Sequence, residues 1–198
     1  MKSNHFGKTY FEGHDVNYLL RENAEAFKFF AKAISVAFNP KNVLDVGCAK
    51  GFLVSNLRDL GIDAHGIDIS NYAMSQNKKH GEFLYDVDIE SERFPFKNNS
   101  FDLVTCFETI EHVKNHNHML KECHRILKKN GSLIISTPKK KYPWDDKTHI
   151  NVQEPSFWKE ALVDSGFKIH STYSGLHSLI FLLFSRKVEE INFSEALK

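Results

Sequence analysis

Residues 43–53 read Val43-Leu44-Asp45-Val46-Gly47-Cys48-Ala49-Lys50-Gly51-Phe52-Leu53. Three apolar β-formers in four positions, interrupted by Asp45 and stopped by a glycine, describe a buried parallel strand that ends in a tight turn. Past Gly51, Phe52, Leu53, Leu57 and Leu60 follow helical spacing. A strand, a glycine turn and a helix let the backbone approach a ligand closely, with the first helical N–H groups nearby. The glycines are spaced GxxxG, whereas a dinucleotide site needs GxGxxG; position 49 is alanine, and no GK[ST] follows. The pattern points to a nucleoside without a pyrophosphate, and Asp45 suits a ligand that carries an ammonium group.

Downstream, Ala64-His65-Gly66-Ile67-Asp68 reads as a second strand that ends in an acid. A carboxylate there can accept hydrogen bonds from both hydroxyls of a ribose bound at the first strand, leaving Ser70 or Asn71 to cap the next helix. That helix should span Asn71 to His80, followed by a third strand from Glu82 to Tyr85 and an acidic run containing Asp86, Asp88 and Glu90. The fourth strand, Phe101 to Phe107, leads into Glu108-Thr109-Ile110-Glu111-His112-Val113. Two carboxylates and an imidazole within one turn can work as a general base or hold a divalent cation through mixed oxygen and nitrogen donors.

A helix from His116 to Leu127 should stop at Lys128-Lys129-Asn130-Gly131 through a glycine cap, with a fifth strand from Ser132 to Pro138. A helix over Glu154 to Ser165, closed by Gly166, precedes two strands, Phe167 to Ser174 and Leu179 to Ser185. Upstream, His5 to Val16 reads as an irregular arm, and a helix capped by Asp15 should end near Asn39-Pro40.

These motifs resemble those of the class I S-adenosylmethionine-dependent methyltransferases. VLDVGCAKG looks like the family's first motif, with Ala49 in place of the middle glycine; GIDIS is similar to the second, and FPFKNNSFDLV to the segment entering the fourth strand. The resemblance implies an α/β, Rossmann-like, seven-stranded and mostly parallel sheet of order 3-2-1-4-5-7-6, with strand 7 antiparallel and helices on both faces. It implies one domain over residues 1–198: an arm and lid helix over 1–40, a core over 41–187 and a tail over 188–198. The implied cofactor is S-adenosyl-L-methionine, held by Asp45, Gly47, Cys48, Gly51, Asp68, Ile69, Asp88, Ile89 and Phe107. Asp45 would organise the ammonium, Asp68 the ribose and Asp88 the adenine amino group, with Asp86 and Glu90 as alternative registers for that last contact.

The ExxEH segment is similar to one in ubiquinone-pathway O-methyltransferases and small-RNA 3′-terminal 2′-O-methyltransferases. That likeness implies a magnesium or manganese ion on Glu108, Glu111, His112 and His149. The implied reaction transfers a methyl group to a small-molecule acceptor, foremost a hydroxyl oxygen, with His112 or His149 as base. The alternatives are a non-catalytic methyltransferase-like binding module and an RNA 2′-O-methyltransferase that uses the ExxEH ion. A dinucleotide dehydrogenase is disfavoured by Ala49 and by the ExxEH segment.

Lys and Arg number 26 against 25 Asp and Glu, a net charge of +1, so no global field draws nucleic acid or a membrane surface. The acceptor is therefore expected to be a small molecule rather than nucleic acid. Lys139-Lys140-Lys141 with Tyr142 and Trp144 read either as a substrate-selecting loop or as a solvated one. Three cysteines with no CxxC pair read as buried thiols, and no apolar run is long enough to span a bilayer. A cytoplasmic chain without membrane insertion is the expectation.

Overall fold

The computed structural model describes residues 6–12, 24–138, 146–174 and 179–185. They fall into two compact units, one running to Asp88 and one starting at Ile89.

The first unit contains α1 (Lys8–Glu12), α2 (Ala24–Phe38), β1 (Asn42–Val46), α3 (Phe52–Asp59), β2 (Asp63–Asp68), α4 (Asn71–Ser75), a 3-10 turn at Gly81–Phe83 and β3 (Leu84–Asp86). Its strands lie in the order β3-β2-β1 and are all parallel, with Val46 beside Ile67 and Gly66 beside Leu84. Val43, Leu44 and Val46 are fully buried, as a strand covered on both faces requires, and this accounts for the near-continuous apolar run. The α2 helix lies on α3, where the Phe27 and Phe52 rings meet at 5.5 Å.

The second unit contains β4 (Phe101–Phe107), a 3-10 turn at Ile110–His112, α5 (His116–Ile126), β5 (Leu127–Pro138), α6 (Pro155–Asp164), β6 (Ile169–Ser174) and β7 (Leu179–Ser185). Within it the order is β4-β5-β7-β6: β4 and β5 are parallel, and β7 runs antiparallel to both of its neighbours. Strands alternating with helices around parallel pairs make the fold α/β and Rossmann-like.

Four local expectations change. The arm forms a short helix at Lys8–Glu12, which Phe11 anchors by burial. The helix that starts at Asn71 ends at Ser75, because the Asn77 Oδ1 accepts the N–H groups of Lys79 and His80 and so turns the backbone away from helix. Glu82 and Phe83 belong to a 3-10 turn, so β3 begins at Leu84. No glycine cap closes α5: the chain passes from Ile126 straight into β5, and Gly131 lies on that strand. A Cβ at Gly131 would stand 3.0 Å from the Phe101 carbonyl oxygen, so this glycine permits close approach of β5 to β4. The expected tail, the lysine run at 139–141, Tyr142 and Trp144 lie outside the described residues, as does the first part of the expected lid helix.

Candidate functional site

The loop after β1 turns its donors inward. Gly47 and Cys48 both donate to the Ile67 carbonyl at 2.9 and 3.1 Å, and Gly51 donates to the Cys48 carbonyl at 2.8 Å. Ala49 donates to the Asp68 Oδ2 at 2.8 Å. These four N–H groups are spent within the protein, so an anion held here would have to rely on other donors. Gly47, Ala49 and Gly51 all have positive φ, at 76°, 48° and 67°. At Gly51 an added Cβ would come within 2.7 Å of Leu84 Cδ1 and 2.9 Å of Asn77 Nδ2, so glycine is demanded by space as well as by conformation.

Asp68 spans two loops, accepting Ala49 N–H on one oxygen and Ser70 N–H at 2.7 Å on the other. Burial raises its pKa, opposed by the N–H groups of Ser70, Ala49 and Ile69. Each carboxylate oxygen has a second lone-pair direction, the capacity needed for two ribose hydroxyls. Ser70 is the helix cap, its Oγ accepting Ala73 N–H while donating to the Phe6 carbonyl, which brings the N-terminal arm beside Asp68. Asp45 is buried in β1. Cys48 is buried with its Sγ under Gly66, so only its backbone faces the loop; burial first, then the nearby Asp68 and Asp45, push the thiol pKa well up. It is an inert thiol.

The three acids considered for adenine stand on either side of the β3 end and in the turn after it. Asp86 accepts from the Asn71 amide at 2.7 Å, and Glu90 accepts the Lys114 N–H at 2.7 Å. Asp88 and Ile89, both half-buried, follow β3, and Ile69 follows Asp68.

In the second unit, Glu111, His112 and His149 come together, with ligand-type atoms all within 4.8 Å of one another. Glu111 is fully buried, and its Oε1 lies 3.9 Å from His149 Nε2; the two imidazole rings meet edge to face at 4.7 Å. Asn151 fastens the 146–151 loop to the 3-10 turn, its N–H donating to the Glu111 carbonyl and its amide to the Val113 carbonyl, each at 2.8 Å. Glu108 does not join this group. Its carboxylate accepts from the Ser136 hydroxyl at 2.8 Å, its N–H donates to the Ser136 carbonyl at 3.0 Å, and its φ is 48°. Of the four residues implied as ligands, the structure brings Glu111, His112 and His149 together and places Glu108 against Ser136. Phe107, half-buried, ends β4 just before this segment.

Sequence reading missed four residues. Asn77 clamps the glycine loop, its amide donating to the Lys50 carbonyl at 3.0 Å and to Ser55 Oγ at 2.9 Å. Gly66 leaves room for Cys48, since a Cβ there would stand 2.6 Å from its Sγ. Asn151 and Thr148 organise the second cluster. Each acts through side-chain contacts across 18 to 38 residues, for example Asn77 to Ser55 across 22 and Asn151 to Val113 across 38, and local periodicity carries no trace of them.

Residues 14–172 match the family model described as a methyltransferase domain. Among curated relatives, the ubiquinone biosynthesis O-methyltransferase of Glaesserella parasuis is 32% identical over 106 residues, covering 49% of this chain and 45% of the relative. The corresponding Dechloromonas aromatica protein is 33% identical over 132 residues, covering 63% and 52%. The chain thus spans about half the length of the curated relatives it matches. Among solved structures, a SAM-dependent methyltransferase from Aquifex aeolicus superposes with a TM-score of 0.66 at 18% identity, covering 85% of this chain and 96% of that one. A second from Archaeoglobus fulgidus gives 0.67 at 18% identity, covering 86% and 100%.

Proposed function

The chain belongs to the class I S-adenosylmethionine-dependent methyltransferases, and on that premise we propose that it transfers a methyl group from S-adenosylmethionine to a hydroxyl oxygen of a small-molecule acceptor. The observation that carries the cofactor half of this reading is the inward turn of the glycine-loop donors onto Ile67, Cys48 and Asp68. Such a loop admits an uncharged or cationic group at short range and offers little to a phosphate. S-adenosylmethionine supplies the sulfonium methyl. Asp45 balances the ammonium, Gly47 and Gly51 let the backbone close on the methionine portion, Asp68 holds the ribose and Asp88 the adenine amino group. Placing donor and acceptor in line accounts for most of the rate.

A hydroxyl must lose its proton as the methyl arrives, and His112, with His149 beside it, is the base in this reading. Glu111, His112 and His149 also fit a divalent ion by donor chemistry. Two imidazoles with one carboxylate suit manganese better than magnesium, which prefers oxygen ligands throughout. Such an ion, when bound, would lower the pKa of an acceptor hydroxyl. The curated relatives are named ubiquinone biosynthesis O-methyltransferases, which supports an oxygen acceptor. The test is transfer of labelled methyl to a panel of phenols and to an RNA oligonucleotide with a free 3′ end. Label on a phenol, lost about 100-fold in His112→Gln, is the expected result; label on the RNA alone would overturn the acceptor class.

A further inference from the structure

The His112 ring is held through one nitrogen by two acceptors of the same residue. Its Nδ1 lies 3.1 Å from the Thr148 carbonyl oxygen and 2.9 Å from the Thr148 Oγ1. A carbonyl oxygen cannot donate, so the first contact is a hydrogen bond only if Nδ1 carries the proton. The second contact agrees. The Thr148 hydroxyl has one hydrogen, and it goes to the Asp146 Oδ1 at 2.7 Å, a charge-assisted bond to a carboxylate that also accepts the Thr148 N–H at 2.8 Å. With its hydrogen committed to Asp146, the hydroxyl meets His112 as an acceptor.

We infer that Asp146 and Thr148 are positioning residues that fix His112 as its Nδ1–H tautomer, which puts the ring's lone pair on Nε2. This rests on the reading of His112 as the reacting imidazole, since both a general base and a metal ligand need that lone pair. Asp146 anchors the relay twice over, because its own carbonyl accepts the His149 N–H at 3.0 Å. One short turn therefore sets the tautomer of the first imidazole and the backbone position of the second. Outer partners of this kind orient a ring and raise the basicity of its far nitrogen without touching substrate.

The experiment is imidazole 15N NMR on the full chain at about pH 8, where histidine is neutral, with the His112 signals identified by their loss in His112→Gln. The wild-type ring is expected as Nδ1–H with an unprotonated Nε2. Thr148→Val should bring in an Nε2–H population and lower methyl transfer by about tenfold or more, and Thr148→Ser should restore both. A wild-type ring protonated at Nε2 would overturn the inference, and so would a Thr148→Val protein unchanged in both tautomer and transfer, because the Thr148 carbonyl would then suffice without the hydroxyl and Asp146. The spectrum needs neither cofactor nor acceptor. An Nδ1–H ring together with full activity in His112→Gln would uphold the tautomer and sink the catalytic reading instead.

Discussion

The Asp68 carboxylate reaches back from the end of β2 to accept the Ala49 backbone N–H at 2.8 Å. One acid thus ties the glycine loop to the strand beside it and, in the proposed reading, binds the ribose from the same place. Asp68→Ala should weaken S-adenosylhomocysteine binding by at least about tenfold, roughly 1.4 kcal/mol, by calorimetry. Affinity that changes less than about twofold would remove Asp68 from the cofactor site. The pH dependence has a definite sign. Burial raises this carboxyl, opposed by its backbone partners, so it protonates on acidification before an ordinary aspartate does, and affinity should fall there. Its contribution to folding stability runs the other way, present below the unfolded pKa and lost as pH rises through the raised folded value.

Ala49 sits at a φ of 48°, a left-handed conformation that costs an alanine roughly 1 kcal/mol. Ala49→Gly, which elsewhere loses about 0.5 to 1 kcal/mol, should here be neutral or slightly stabilising. Gly51→Ala should lose roughly 2 kcal/mol or more, from its own positive φ and from contact with Leu84 and Asn77. Urea midpoints decide both; a clear loss in Ala49→Gly would mean that the loop relaxes in solution.

His116 lies against the rings of Phe157 and Trp158 at 5.3 and 5.4 Å and pairs through Nδ1 with the Asn151 amide at 3.3 Å. Burial pushes its pKa down, against a smaller upward pull from a hydrogen bond with the Lys114 backbone. The neutral ring is therefore favoured in the folded state. Its stability contribution is present above about pH 6.5, the unfolded value, and is lost as pH falls through the lower folded one. Thermal melts should show this decline, flattened in His116→Phe. An unchanged slope in that variant would assign the acid sensitivity to other groups.

Arg125 grips Glu122 in a bidentate pair at 2.6 and 2.7 Å and donates to the carbonyls of Phe94 and Phe96 at 3.1 and 2.9 Å. Burial alone would raise the Glu122 carboxyl, but Arg125 and the Phe94 N–H hold it below its ordinary value. Arg125→Met should cost about 3 kcal/mol by leaving a mostly buried carboxylate without its partner. Glu122→Gln in the same background should recover part of that loss; no recovery would show that the contacts to Phe94 and Phe96 dominate.

The parts of this fold that the sequence made legible are those where chemistry and spacing coincide. Val43 to Val46 announce a covered strand, Gly47 and Gly51 a turn, and Asp68 an acid at a strand end. The ExxEH run was legible as a cluster but not in its membership. Only the fold shows that Glu108 turns to Ser136 while Glu111 goes inward to meet His149. The early stop of α4 was missed because Asn77 ends it with a side chain, and a glycine cap was expected at Gly131 where the residue instead serves strand approach. The relay from Asp146 to His112 joins residues 34 positions apart through a threonine that no motif distinguishes.

The most direct test of the account is calorimetric titration of the purified chain with S-adenosylhomocysteine and, separately, with NADH. A loop whose donors turn inward should accept the first with saturable heat and give none with the second, whose pyrophosphate finds no cradle. Saturable NADH binding with no response to S-adenosylhomocysteine would contradict it.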